Sequence, residues 1–255
     1  MNRAPTVCLM NRDEYEKTYR TEKSFWWFVA KRRLMERWVA RCLSLSRGRI
    51  LDLGCGTGAN LEALARLSEA YGLDSESAAL ECASRRSLPG LCAGQAGRIP
   101  FAAESFVLVT ALDLLEHLED DQGVLAEALR VLEPGGWFLV TVPAYPWLWG
   151  AHDLALGHRR RYRRAELRAK LAEAGFKPVR VVHFFGLFFP LMLPVRIGQK
   201  RWGSPEETVS YEPWPPLNRL LLRVAEAEVR LLDRFALPFG TTLVGLAQKP
   251  GGVIG

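Results

Sequence analysis

The chain has 255 residues, 49% of them apolar, enough for one large α/β domain or two small ones that bury roughly 70–75% of their unfolded surface. This excludes a disordered chain and a disulfide scaffold. The five cysteines (Cys8, Cys42, Cys55, Cys82 and Cys92) are odd in number, form no C-x-x-C pair and point to a reducing, cytoplasmic setting. The net charge of +6 is localised: residues 150–202 hold 12 Lys/Arg against 3 Asp/Glu, and the remainder is slightly acidic.

Near the start, Arg3, Arg12, Asp13 and Glu14 interrupt any apolar run, so no signal peptide is expected. The longest uncharged stretch, 181–195, holds His183, Pro190 and Pro194 and falls short of the ~20 residues a membrane helix needs. In chain order, the spacing of Phe28, Met35, Trp38, Val39 and Cys42 predicts an amphipathic helix over 24–46. A short strand at 49–53 runs into Gly54-Cys-Gly-Thr-Gly58, and a helix follows over 60–67. A second strand, 70–73, stops at Asp74, with Ser75 or Ser77 available to cap the next helix. Residues 91–93 read as a weak third strand. The β-branched run at 106–111 reads as a strand buried on both faces. A helix over 121–132 ends at Pro134-Gly135-Gly136, and a fifth strand covers 137–142. A helix at 165–174 leads to a sixth strand at 178–184, and 242–248 reads as the last. The alternation predicts an α/β fold: a Rossmann-like, doubly wound, mostly parallel seven-stranded sheet with an N-terminal helical cap and a long insertion before the last strand. The expected units are a cap at 1–47, a core at 48–185 and 241–250, and an inserted lid or packing subdomain at 186–240.

In Asp52-Leu-Gly54-Cys-Gly56-Thr-Gly58 the glycines let the backbone turn sharply at a strand's carboxyl end, where open α/β sheets bind ligands. Asp74, ending the second strand, can accept both hydroxyls of an adenosine ribose. Gly54, Gly56 and Ala59 also satisfy the dinucleotide pattern G-x-G-x-x-A. A carboxylate at Asp52 would repel a pyrophosphate at this turn, but it favours the sulfonium and ammonium of S-adenosylmethionine. Cys55 reads as a small loop residue rather than a reactive thiol.

Ile50-Leu-Asp-Leu-Gly-Cys-Gly-Thr-Gly58, Gly72-Leu-Asp74, Arg98-Ile-Pro-Phe101 with Ser105-Phe106, Leu115-Glu-His-Leu118 and Leu132-Glu-Pro-Gly-Gly136 together resemble the class I S-adenosylmethionine-dependent methyltransferases, in their bacterial small-molecule, type 11-like group. These motifs cover about residues 48–145. The resemblance implies S-adenosylmethionine as cofactor, with contacts at Asp52, Gly54, Cys55, Gly56, Asp74, Ser75, Gln95, Ala96, Ala111 and Leu112. Two departures touch the adenine end: Gln95 stands where the family usually has an acid, and Val107 where an acid often begins the fourth strand. Glu22-Lys-Ser-Phe-Trp-Trp-Phe28 with Arg32-Arg33, and His158-Arg-Arg-Arg-Tyr162, resemble members acting on cell-envelope or saccharide substrates. That resemblance places the N-terminal helix over the methionine end, with Arg32 or Arg33 free to meet its carboxylate.

Methyl transfer requires alignment and exclusion of water, and a hydroxyl acceptor also requires a base. Candidates are Asp113, His117, His152, Asp153 and His158; His152 is placed first and His117 second. The spacing of His152, Asp153 and His158 is loose for a metal, and none is expected. Nucleic-acid methylation is disfavoured, because Ala111-Leu-Asp-Leu114 lacks the Pro-Pro-aromatic run used against flipped bases. The basic run at 159–164 reads as a solvated helix start, a phosphate track or a grip on an acidic acceptor. Phe25, Trp26, Trp27 and Phe28 read as core or as cofactor cover.

The reading is therefore a methyltransferase acting on a small-molecule, saccharide or lipid-linked acceptor at oxygen. A nicotinamide-dependent reductase and a non-catalytic cofactor-binding or membrane-associated module are the rivals. The apolar cluster Phe184, Phe185, Leu187, Phe188, Phe189, Leu191, Met192 and Leu193, flanked by Arg180, Arg196, Lys200 and Arg201, either packs on a helix at 217–234 or forms a lid touching an anionic membrane at the inner face.

Overall fold

The computed structural model describes residues 12–44, 48–88, 90–194 and 213–251. Cys8, Arg196, Lys200 and Arg201 lie outside them. Seven strands form one sheet: β1 (Ile50–Leu53), β2 (Ala70–Asp74), β3 (Leu91–Ala93), β4 (Phe106–Leu112), β5 (Leu132–Pro143), β6 (Lys177–Phe184) and β7 (Thr242–Gln248). Their order is β3-β2-β1-β4-β5-β7-β6. Strands β1 to β5 pair in parallel, and β7 runs antiparallel between β5 and β6. The mostly parallel sheet expected from the alternation is thus present, with β7 reversed.

The α-helices among the described residues are α1 (Arg12–Thr21), α2 (Trp26–Leu43), α3 (Ala59–Ala65), α4 (Ser77–Ser84), α5 (Asp121–Val131), α6 (Ala151–Ala155), α7 (Arg164–Glu173) and α8 (Pro215–Leu231). Helix α2 forms where periodicity places it: Trp26, Ala30, Leu34, Met35, Trp38, Val39 and Cys42 recur at helical spacing and are buried. They share one apolar layer with α3, Phe184, Phe185 and Phe188, and Ala225, Val229 and Leu232 on and after α8. The opposite layer is built from Val124, Leu125 and Ala128 of α5, Leu167 and Leu171 of α7, and Phe176.

Four local expectations change. Helix α1 escapes the apolar pattern because its residues are mostly charged or polar; Arg12–Glu81 and Glu16–Arg85 ion pairs tie it to α4. Neither Ser75 nor Ser77 caps α4. Its N-cap is Glu76, whose backbone N–H donates to Asp74 Oδ1 at 2.9 Å. Helix α5 ends at Val131, and Leu132 already pairs with Phe106, so Pro134-Gly135-Gly136 falls inside β5 rather than at the helix end. The apolar cluster after β6 divides: Phe184, Phe185 and Phe188 are core, whereas Leu187 and Leu191 are exposed.

Candidate active site

The site is built where β1, β2 and β4 end together. After β1 the chain turns through Gly54 (φ 68°) and Gly56 (φ 54°), in the left-handed region that favours glycine. Strand β2 holds this loop down: Gly54 N–H and Cys55 N–H both donate to Leu73 O, at 2.8 and 3.1 Å. Gly56 N–H donates to Asp74 Oδ2 at 2.8 Å. Both Asp74 oxygens thus accept backbone N–H bonds, from Gly56, Glu76 and Ser75, and a carboxylate with about four lone-pair sites still has room for a diol. Burial raises the Asp74 pKa, opposed by the N–H groups of Glu76 and Gly56. Above Gly56 the space is open: an added Cβ would find only Gly54 O, 4.0 Å away.

Asp52 sits beneath this loop, not in it. It lies within β1, aligned with Gly72 and Thr110, and its Oδ1 accepts the Thr110 hydroxyl at 2.6 Å. Burial, with the charge of Asp74 adding, raises its pKa to about 7. The direct repulsion of a pyrophosphate expected from Asp52 is therefore weakened by its burial and its shift towards the neutral form. Cys55 is buried too, close against Gly72, and its thiol pKa is raised by burial and by both acids, so it is inert. Ser75 and Gln95 are exposed and Ala96 half-buried at the ends of β2 and β3, where Gly94 N–H donates to Asp74 O. Ala111 and Leu112 close β4, aligned with Leu53 and Thr141 respectively.

The loop is also clamped from outside the sheet by Glu22 and Arg86, of which Arg86 lies in none of the motifs. Glu22, buried between α1 and α2, accepts from the Thr57 hydroxyl and from Arg86, each at 2.5 Å. Arg86 in turn donates to Thr57 O. Arg32 donates to Glu22 O at 2.7 Å, while its buried Nε has no partner among the described residues. Arg33 is not free for a carboxylate, because it pairs with Glu226 on α8. The N-terminal aromatics are divided. Trp26 is buried against Phe188, and the half-buried Trp27 stacks on Phe185 at 3.8 Å.

Beyond β4, Asp113 adopts a φ of 55° and accepts from Lys31 of α2 at 2.5 Å and from the Thr141 hydroxyl at 3.1 Å. Burial opposes its ionisation, but Lys31 holds the pKa below the usual carboxylate value. His117 meets His158 edge-on, with ring centroids 4.8 Å apart. Burial and the charge of His158 lower the His117 pKa to about 4, so its imidazole is neutral. His158 Nδ1 lies 2.9 Å from Asp153 Oδ1, and Arg161 Nε donates to the same oxygen at 2.8 Å. His152 lies half-buried on α6 and is not one of the clustered donors named next. The trio brought together is Glu116, His117 and His158, not His152, Asp153 and His158. Within the basic run, Arg159 donates to His117 O, Arg160 to Glu119 O and the buried Arg161 to Ala144 O, whereas Arg163 and Arg164 at the start of α7 are exposed, as a solvated helix start requires.

Strands β1, β4, β5 and β6 end on this one edge, where Pro143, Thr242 and Phe184 are in register. Tyr145, Trp147, Phe189 and Phe239 form a ring cluster there, with centroids 5.4–6.4 Å apart along successive contacts.

A nucleoside-holding acid, an open glycine turn and an unpaired buried guanidinium N–H fit an adenosine ligand with an amino-acid tail. A methyltransferase domain family matches residues 51–140. The chain is 30% identical over 156 residues to a probable S-adenosylmethionine-dependent methyltransferase of Mycolicibacterium smegmatis, covering 60% of each. It is 32% identical over 108 residues to a ubiquinone biosynthesis O-methyltransferase of Albidiferax ferrireducens, covering 39% of this chain and 43% of that one. The aligned region thus spans 60% and 43% of these two relatives' lengths, less than two thirds of either. A solved methyltransferase of Thermotoga maritima has the same fold, with a TM-score of 0.61 at 20% identity over 93% of this chain and 95% of its own. Residues 51–140 are thus similar to the methyltransferase domain family, and the fold is that of solved S-adenosylmethionine-dependent methyltransferases.

Proposed function

We propose that this chain catalyses transfer of a methyl group from S-adenosylmethionine to an oxygen of a small, apolar or lipid-linked acceptor. The observation that carries this reading is the Asp74–Gly56 contact below an open turn, on the same edge as the Tyr145, Trp147, Phe189 and Phe239 rings. The cofactor supplies an electrophilic methyl on a neutral leaving group. Asp74 holds the ribose hydroxyls. The backbone of Gly54, Cys55 and Gly56 lets the nucleoside approach, and Ser75, Gln95 and Ala96 flank its base. Ala111 and Leu112 floor the methionine end, where Arg32 Nε offers a donor to the carboxylate. Asp52 acts from below the loop as a buried group whose ionised form a sulfonium favours.

The aromatic cluster would exclude water and orient an apolar acceptor, which matters because alignment is the protein's main contribution to in-line displacement. His152, on the segment after β5, is assigned as the base that takes the hydroxyl proton. His117, neutral but weakly basic, stands second. The O-methyltransferase relative supports oxygen as the acceptor atom. Cap (1–47), core (48–185 and 241–250) and insertion (186–240) are the proposed division.

The test is transfer of labelled methyl from S-adenosylmethionine into separated metabolites and lipids of the source cell. Label in an apolar, alkali-stable ether fraction is the expected result. S-adenosylhomocysteine should raise the melting temperature and NADH should not. Stabilisation by NADH alone would favour the reductase, and cofactor binding without label transfer to any fraction would leave a binding module.

A further inference from the structure

We propose that Glu116, His117 and His158 form a three-ligand site for a divalent transition-metal ion of the zinc class, with at least one coordination position left for solvent or an oxygen ligand. One ligand atom from each lies within 4.8 Å of the others, although two come from the turn after β4 and one from the loop after α6. Two imidazoles and a carboxylate suit zinc and its borderline neighbours rather than magnesium or calcium, which take oxygen ligands. A tetrahedral zinc would draw these atoms to roughly 3.3 Å apart.

Two further observations point to a ligand. Glu116 is only 1% exposed, and its Oε2 has no hydrogen-bond partner among the described residues, an orphan that a cation would satisfy. Both imidazoles also have the outer partners that metal-binding histidines use to fix their orientation. His158 Nδ1 faces Asp153 Oδ1 at 2.9 Å, leaving Nε2 for the trio, and His117 bonds the backbone carbonyl of Gly157. Asp153 is itself fixed by Arg161 Nε and by Gly150 N–H, at 2.8 and 2.9 Å. Such a shell fixes the orientation of both rings beside the buried Glu116 side chain.

The inference does not depend on methyl transfer, and it is tested without S-adenosylmethionine. The full chain, stripped with a chelator at pH 7.5, is titrated with Zn²⁺ by calorimetry and with Co²⁺ by absorption. One equivalent should bind, and the Co²⁺ spectrum should show visible d–d bands without the near-ultraviolet band of thiolate ligation. His158→Gln and Glu116→Gln should each lower Zn²⁺ affinity at least about tenfold, and Asp153→Asn by about 10–100-fold. Circular dichroism of the chelator-treated variants should match wild type; if Glu116→Gln fails to fold, His117→Gln replaces it. No binding by wild type, undiminished binding in His158→Gln and the second ligand variant, or a thiolate band would overturn the site.

Discussion

At the scale of single residues, two acids 22 positions apart in sequence role but close in space behave differently because of what surrounds them. Asp74 takes backbone N–H bonds from Gly56, Ser75 and Glu76 at the edge of the sheet, whereas Asp52 is sealed beneath the loop against the Thr110 hydroxyl. Asp74→Ala removes a charge-assisted bond worth about 1.5–3 kcal/mol, so affinity for S-adenosylhomocysteine should fall roughly 10- to 150-fold by calorimetry. An unchanged dissociation constant would refute the ribose assignment. Asp52 has a pKa of about 7 in the folded chain, above its unfolded value. Between about pH 4 and 7 the folded state therefore keeps a proton that the unfolded state has released. Ligand-free stability should fall as pH rises through that window and remain lower above it. Asp52→Asn should remove that slope, a gain on the order of 2–4 kcal/mol at pH 8 relative to pH 4, read from urea unfolding at both values.

At the scale of elements, α8 is fastened to the end of β6 by one side chain. Buried Glu228 accepts from Gly186 N–H and Leu187 N–H, both at 2.9 Å, which fixes the turn that carries Phe185 and Phe188 into the core. Glu228→Ala leaves both N–H groups without that acceptor and should destabilise the chain by about 1–3 kcal/mol in chemical unfolding. If stability is unchanged, the turn is held by apolar packing alone. No alternation or spacing in the sequence marks Glu228 as special, since a helical glutamate is usually solvated. Its partner turn lies about forty residues upstream.

At the scale of the whole molecule, the insertion is both core and surface. Phe188 is 5% exposed, whereas Leu187 and Leu191 are 48% and 68% exposed. Phe188→Ser should therefore unfold the chain at lower denaturant, by about 3–5 kcal/mol, and cannot report on membranes. No helix among the described residues is long and apolar enough to cross a membrane. Peripheral contact is a separate proposal, supported by the exposed Leu187, Leu191, Trp214 and Leu220. The chain should co-sediment with anionic vesicles at low salt, release as salt rises, and bind less after joint replacement of Leu187 and Leu191 by serine. Equal sedimentation with and without vesicles would remove the membrane from the proposal.

What the sequence determined by itself is the part governed by local period and turn chemistry. The seven strands, the glycine turn after β1 and the acid after β2 follow from alternation, β-branched runs and residues able to adopt positive φ, all of which act over a few neighbours. The class of cofactor was legible for the same reason, since Asp52, Gly54, Gly56 and Asp74 sit within one β-α-β unit. Tertiary structure alone decided the partners of charged residues. Lys31 meets Asp113 across 82 positions, Arg86 meets Glu22 across 64, and Glu116 and His117 meet His158 from separate loops. Charged side chains look alike along a chain wherever they end up. Burial tells them apart, and burial is set by how α1, α2 and the segments after β4 and β5 close over the sheet's carboxyl edge.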